Sequence, residues 1–560
     1  MARSRSEEGA SALAWGVYGA LGALFVIGLW FLVTNLLATS SPSEAYDPPL
    51  FVEEGAASGV DHVYDGEFTF YVGGGVAVFD CDDDSKPDLF FAGGENSAAL
   101  FRNDSPIGGA LRFTPLPATT TDLTEVTGAY PLNIDGDSHT DLVVLRYGEN
   151  VLLRGLGDCR FERVNEDWGF RGGDEWTTAF SARWERNESF PTMALGNYVA
   201  LSESGQQDGT CSDNELLRPN ESGNGYGTPL PLTPGLCTLS ILFNDWNRSG
   251  RADLRMTNDR HYYRDGEEQL WRIEEGQPAR LYTRDEGWRK MQIWGMGIAT
   301  YDVTGDGLPE IFLTSQGDNK LQTLADGPSE PAYEDIAIRR GVTAHRPFVG
   351  NQIMPSTAWH PEFRDVNNDG FIDLYIAKGN VEAQAEFATD DPNNLLLGQP
   401  DGTFVDSAEA AGILNVERTR GAALVDLNLD GMLDLVEVNR RETVNLWRNV
   451  GFGDSDQPEE MGNWITLEII QPGTNGDAIG SWIEVRIGDH VSTREVIVGG
   501  GHAGGQLGWI HFGLGPARRA EVRVQWPDGE IGPWTKIDSN QFVTIERGDP
   551  TPRVWVPAEN

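Results

Sequence analysis

Acidic residues recur in this chain in one arrangement. Asp80, Asp82, Asp84 and Asp88 stand at positions 1, 3, 5 and 9 of Asp80-Cys-Asp-Asp-Asp-Ser-Lys-Pro-Asp88, which runs straight into Leu89-Phe90-Phe91. Oxygen-bearing side chains on alternate residues of a tight loop converge on one point. A hard cation such as calcium, which takes about 6–8 oxygens at about 2.3–2.6 Å, needs such a donor set. The pattern returns as Asn133, Asp135, Asp137 and Asp141, then as Asp245, Asn247, Ser249 and Asp253, and again as Asp302, Thr304, Asp306 and Glu310. Asp365, Asn367, Asp369 and Asp373, followed by Asp426, Asn428, Asp430 and Asp434, match it at every position. One further unit puts Trp184, Arg186, Glu188 and Thr192 in the same slots and reads as a repeat without metal. The expectation is up to six structural calcium sites.

The elements that position these loops follow from spacing. First ligands fall at 80, 133, 184, 245, 302, 365 and 426, a period of roughly 50–60 residues that marks stacked or circular supersecondary units. The flanking runs, such as "GGGVAVFD" before a loop and "DLFFAGG" after it, are short, β-rich and ended by glycine or polar residues, as hairpin strands are. A loop between strands is not an EF-hand, whose calcium loop lies between helices. The predicted fold class is all-β: seven four-stranded blades around an axis.

These repeats resemble the FG-GAP repeats of integrin-α-type propellers, which carry the loop D-x-[DN]-x-[DN]-G-x-x-D. The order of segments, from "GAYPLNIDGDSHTDL" through "IWGMGIATYDVTGDGLPEIFLTSQGDNKLQTL" to "RGAALVDLNLDGMLDLVEVNR", is similar to the cartilage acidic protein family and its bacterial relatives. Those proteins end in a small all-β ASPIC/UnbV domain, and "GNWITLEI", "REVIVGGGHAGGQLGWIHFGLG" and "AEVRVQWPDGE" resemble its segments. Ser85 and Ser138 depart from the pattern where the loop usually has glycine.

From Gly9 to Ser43 there is no charged residue, and Ala12 to Val33 is almost wholly apolar, long enough to cross a bilayer. Length favours an uncleaved anchor over a signal peptide cleaved near "LLATSSPSEA". Arg3 and Arg5 before it, with no basic residue after it until Lys86, place the N-terminus in the cytoplasm. The expected organisation is a cytoplasmic N-terminus at 1–11, a transmembrane anchor at 12–34, a tether at 35–49, the propeller at 50–455 and an ASPIC/UnbV domain at 462–547. Everything beyond the anchor is then periplasmic or extracellular, or secreted if the segment is cleaved.

The net charge of −44 argues against nucleic acid, since phosphate binding needs a basic face. Of four cysteines, Cys211 and Cys237 bracket a strandless Gly- and Pro-rich loop that would gain most from a staple. A Cys81–Cys159 bond between neighbouring blades is the second expectation. The eight histidines show no zinc spacing, and no nucleophile or base is set by spacing near His502 or His511. The function expected is a non-catalytic module that binds an extracytoplasmic protein or glycan. The alternative is a hydrolase or lyase acting on an extracellular polymer from the propeller's funnel.

Overall fold

The computed structural model describes residues 42 and 44–557 apart from 118–120, 186–187, 202–206, 260–265, 344–353 and 383. The expected anchor at 12–34 lies outside the described residues. Among the described residues no helix is long and apolar enough to cross a membrane.

The chain is all-β. Residues 51–449 form successive four-stranded antiparallel sheets whose first strands are Val76–Phe79, Val126–Leu132, Thr177–Arg183, Thr238–Asn244, Gly295–Tyr301, Ala358–Arg364 and Thr419–Val425. These strands are buried almost end to end and lie beside one another in chain order; Thr419–Val425 also packs beside Val76–Phe79, so the series closes into a ring. The last sheet takes its outer strand, Phe51–Glu53, from the start of the described chain, with Phe51 opposite Asn449.

Each repeated loop joins the first and second strands of a sheet in one register. The residue before position 1 pairs with position 9: Phe79 with Asp88, Leu132 with Asp141, Asn244 with Asp253, Tyr301 with Glu310, Arg364 with Asp373 and Val425 with Asp434. The degenerate unit keeps it too, with Arg183 opposite Thr192. Hairpin register therefore survives the loss of the acids, because the buried alternation of both strands specifies it.

Residues 463–555 form two further sheets, one built on Asn463–Ile470 and Gln541–Glu546, the other on Trp482–Ile487 and Arg519–Gln525. Ile465, Leu467, Ile483, Val485, Val522 and Val543 are buried in a core shared with the second and third propeller-like sheets. A final strand, Arg553–Trp555, extends this region past residue 547, and Trp555 packs on Trp509 and Phe542.

The C-terminal part is not a separate body docked on a surface. Its segment Val498–Gln506 enters the ring and bridges the first strands of several sheets: Val498 to Ala182, Gly499 to Leu242, Gly501 to Ile298, Gly504 to Ala129 and Gly505 to Ala77. Gly500 and Gly501 donate their N–H groups to Ile241 (2.8 Å) and Ile298 (2.7 Å). Gly499, Gly500 and Gly501 have φ of 122°, 72° and 55°, which only glycine adopts three times running without strain. Both expected disulfides are present, Cys81–Cys159 and Cys211–Cys237.

Candidate functional site

All the repeated loops lie at the same end of the ring. Within each, the position-1 acid ties the turn together. Asp302 Oδ1 accepts the N–H groups of Gly305 (2.8 Å) and Asp306 (3.1 Å), and its Oδ2 accepts that of Gly307 (2.9 Å). Asp365 and Asp426 repeat this with Asp369 and Gly370, and with Asp430 and Gly431. The position-9 acid fastens the loop to the sheet. Asp373 accepts from Val366 and Gly398 (both 2.8 Å), Asp434 from Leu427 (2.9 Å) and Asn449 (2.8 Å), and Asp88 from Cys81 (2.8 Å) and Asn103 (2.7 Å). Ser85, at position 6 of its loop, takes the φ of 69° that glycine supplies elsewhere, whereas Ser138 does not need it.

These hydrogen bonds leave the loops crowded with like charge. Burial, with Asp84 and Asp82 adding repulsion, pushes Asp80 up to about 6. Burial likewise moves Asp302 and Asp369 to about 6 and Glu310 to about 7. Asp365, Asp373, Asp426 and Asp434 stand well above the carboxylate range, by burial and then by the neighbouring acids. Asp430 is pushed to about 6 by burial.

The donor sets fit a hard cation. Asp80, Asp82 and Asp88 bring carboxylate oxygens within 4.8 Å of one another. Asp82 Oδ1, Asn247 Oδ1 and Asn428 Oδ1, all at position 3, and Asp430 Oδ2 at position 5 are buried without a hydrogen-bond partner. Oxygens left bare in this way lose about 1–3 kcal/mol each unless something meets them.

The loops are not equivalent. Arg154, on the strand Val151–Gly155, sets its Nε 2.8 Å from Asp135 and its Nη2 3.1 Å from Asp137, so a guanidinium already stands against positions 3 and 5 of the Asn133 loop. Asn133 there donates from Nδ2 to the Asp137 carbonyl. In the Asp245 loop Arg251 lies 3.2 Å from Asp253, and Trp246 Nε1 donates to the same carboxylate. In the degenerate unit Glu185 accepts from Arg218 (2.8 Å) and from Thr192; Trp184 and Glu188 line a groove beside Thr474, and Arg186 lies outside the described residues.

The C-terminal region covers this end of the ring. Trp509 Nε1 donates to the Ser85 carbonyl (3.1 Å), His511 Nε2 bonds Asn368 Oδ1 (2.6 Å), and Gly515 N–H reaches the Asn368 carbonyl (2.8 Å). Arg248, at position 4 of its loop, bonds Glu484 (3.0 Å) and Gln525 (2.9 Å). Tyr46 of the tether donates its N–H to Asp369 and accepts from Asn367. Asn367 is fully buried beneath Tyr46, and Asn428 against Gly108 and Gly109. His502 is buried at the tip of the inserted segment. It accepts from Gly73 N–H at Nε2 (3.1 Å), and its Nδ1 faces the Met296 carbonyl (3.2 Å). Burial lowers its pKa to about 3, so it is a neutral packing group. The glycine run was visible in the sequence; that it enters the ring was not.

Residues 471–552 match the family model described as ASPIC and UnbV, and residues 365–437 match an FG-GAP-like repeat. Cartilage acidic protein 1 of Xenopus tropicalis is 26% identical over 208 residues, covering 26% of this chain and 31% of that protein. Cartilage acidic protein 1 of Mus musculus is 28% identical over 156 residues, 26% of this chain and 21% of that protein. These matches span less than a third of either relative's length. Among solved structures, BBS1N in complex with ARL6DN is similar at 9% identity over 71% of this chain and 96% of that one, with a TM-score of 0.40. YCF48 bound to D1 peptide is similar at 10% identity, 73% and 97% coverage and a TM-score of 0.37. The C-terminal region thus matches the ASPIC and UnbV model, residues 365–437 match an FG-GAP-like repeat, and part of the chain is weakly similar to cartilage acidic protein 1.

Proposed function

We propose that this chain is an extracytoplasmic, membrane-anchored interaction protein without catalytic activity: a seven-bladed β-propeller stiffened by calcium and capped by its ASPIC/UnbV region. The observation that carries the reading is the set of buried, unpartnered oxygens at positions 3 and 5 of the Asp80, Asp245 and Asp426 loops. Calcium, when bound, supplies positive charge and a partner for those oxygens. Asp80, Asp82, Asp84 and Asp88 would hold one ion; Asp302, Thr304, Asp306 and Glu310 a second; and the Asp365 and Asp426 sets a third and fourth. The Asn133 and Asp245 loops, each with an arginine on its acids, are the weaker candidates, and Lys86 stands 3.2 Å from Asp84 in the Asp80 loop. Two disulfides favour an oxidising compartment, and the apolar run Ala12–Val33 supports the anchor. Because the C-terminal region covers the loop end, the reading places the protein or glycan partner at the opposite end.

Calcium should raise the melting temperature of the full chain in proportion to its logarithmic concentration, because it binds the folded state alone. A melting curve indifferent to both calcium and chelator would refute the reading.

A further inference from the structure

The end of the ring opposite the loops carries an aromatic cavity of about 150 Å³. Its walls are Phe68, Tyr71, Trp176, Tyr198 and Trp359. Phe68 and Tyr71 come from the short 3-10 turn ahead of Val76–Phe79, Trp176 and Tyr198 from the two ends of the Thr177–Arg183/Thr192–Asn197 hairpin, and Trp359 from the start of Ala358–Arg364. Edge-to-face packing fixes the rings: Trp176 meets Tyr198 at 4.9 Å and 88°, and Phe68 at 5.6 Å and 72°, while Phe68 meets Tyr71 at 5.6 Å and 70°. Trp359 is held by its Nε1 bond to the Gly379 carbonyl (2.7 Å). The floor is closed, since Trp359 and Met296 rest on His502 of the inserted segment.

Polar groups complete the lining. Asp259 accepts from Tyr198 O–H. Gln316 Nε2 donates to Gln384 Oε1 (2.6 Å), which leaves the Gln316 carbonyl as an acceptor and the Gln384 amide as a donor. Trp176 is 2% exposed, and its Nε1–H has no partner among the described residues.

We infer that this cavity binds the terminal pyranose of a neutral glycan. A volume near 150 Å³ takes one six-membered ring. Aromatic walls suit the C–H face of a sugar, and a lining of mixed donors and acceptors suits hydroxyl groups, which are both. A purely apolar ring would leave the Gln316 carbonyl and the Gln384 amide without partners. A cation is disfavoured because Arg420 already lies 4.2 Å over Trp359 and Arg440 4.5 Å over Tyr71, so those ring faces are engaged. The closed floor admits a chain end and not an internal residue.

The inference rests on the reading of the chain as a binding module and names its ligand class. The test uses the full chain in calcium, with saturation-transfer NMR against methyl glycosides of neutral hexoses and N-acetylhexosamines. Parallel arms hold tetramethylammonium, methyl glucuronide, phenylalanine amide and an oligosaccharide that carries the binding sugar only internally. At least one neutral glycoside should bind, and Gln384→Ala should weaken it tenfold or more while melting as the wild type does. Binding of only the cation, the uronide, the aromatic amide or the internal sugar overturns the inference, as does silence from every glycoside in a chain whose melting still responds to calcium. Loss of the calcium response itself would instead strike the proposed function.

Discussion

Adding one methyl group at Gly128 tests whether the C-terminal segment is built into the ring. Gly128 has an ordinary backbone conformation, so alanine there is not strained by φ; only space is at issue. A Cβ at this position would lie 1.9 Å from the Ala503 carbonyl oxygen, 2.8 Å from its carbon and 2.9 Å from the Ala503 Cβ. Carbon and oxygen do not approach much closer than about 3.3 Å, so the backbones must part by more than 1 Å. Neither can yield cheaply, because Ala129 N–H is bonded to that same oxygen (3.1 Å) and Gly501 N–H to Ile298. Overpacking of buried side chains costs roughly 1–3 kcal/mol, and a clash between two backbones belongs at or above the upper end. Gly128→Ala should therefore lower the melting temperature by several degrees and release the amides of residues 500–502 to hydrogen exchange. Gly476→Ala is the control, since its Cβ would meet nothing within 4 Å. If Gly128→Ala melts and exchanges like the wild type, the segment is not seated in the ring.

Removing the guanidinium with Arg154→Gln should add one calcium ion to the count seen by native mass spectrometry, because Asp135 and Asp137 would then face no cation; an unchanged count refutes the surrogate role. Asp369→Ala, in a complete and buried loop, should abolish one calcium and lower stability by about 2 kcal/mol or more, while Glu188→Ala should be nearly silent in both measurements. In chelator, carboxyls whose folded pKa is raised stabilise the protein below about pH 4 and lose that contribution as pH climbs through 6 to 7. A shift of about two units is worth roughly 3 kcal/mol per buried group, so the metal-free chain should melt higher at pH 5 than at pH 7.5. Calcium should reverse that order, and melting curves at both pH values with and without the ion check the sign. Replacing Cys211 and Cys237 by serine should cost roughly 3 kcal/mol, as the bond closes a chain separation of 26 residues.

The repeated loops made the hairpins legible because ligand spacing and strand alternation are local: nine residues state both the turn and the register, even where Trp184 and Thr192 have replaced acids. What depends on distant residues was not legible. Arg154 is one strand removed from Asp135, and no spacing rule ties a guanidinium to that loop. The run Gly499–Gly501 announces a close backbone approach without saying what is approached. Trp176 and Trp359 look like ordinary core residues in sequence and become neighbours of one cavity only when the ring closes. The last strand, Arg553–Trp555, was missed at the expected boundary of 547 because its partner, Gln541–Glu546, selects it through Trp509 and Phe542.

The strand Phe51–Glu53 gives the molecule a defined mechanical axis. It is zipped to Trp447–Asn449, with Leu50 bonded to Gly451 and Val450, and its neighbour Glu54 is clamped by Arg448 (2.9 Å). A pull on the preceding chain loads those bonds together along the strand, so the ring resists as one piece and does not peel sheet by sheet. Tyr46 is fixed on the Asp365 loop, so the described chain begins at the loop end. On the proposed anchoring of the chain from that end, the aromatic cavity at the opposite end of the ring would face away from the membrane.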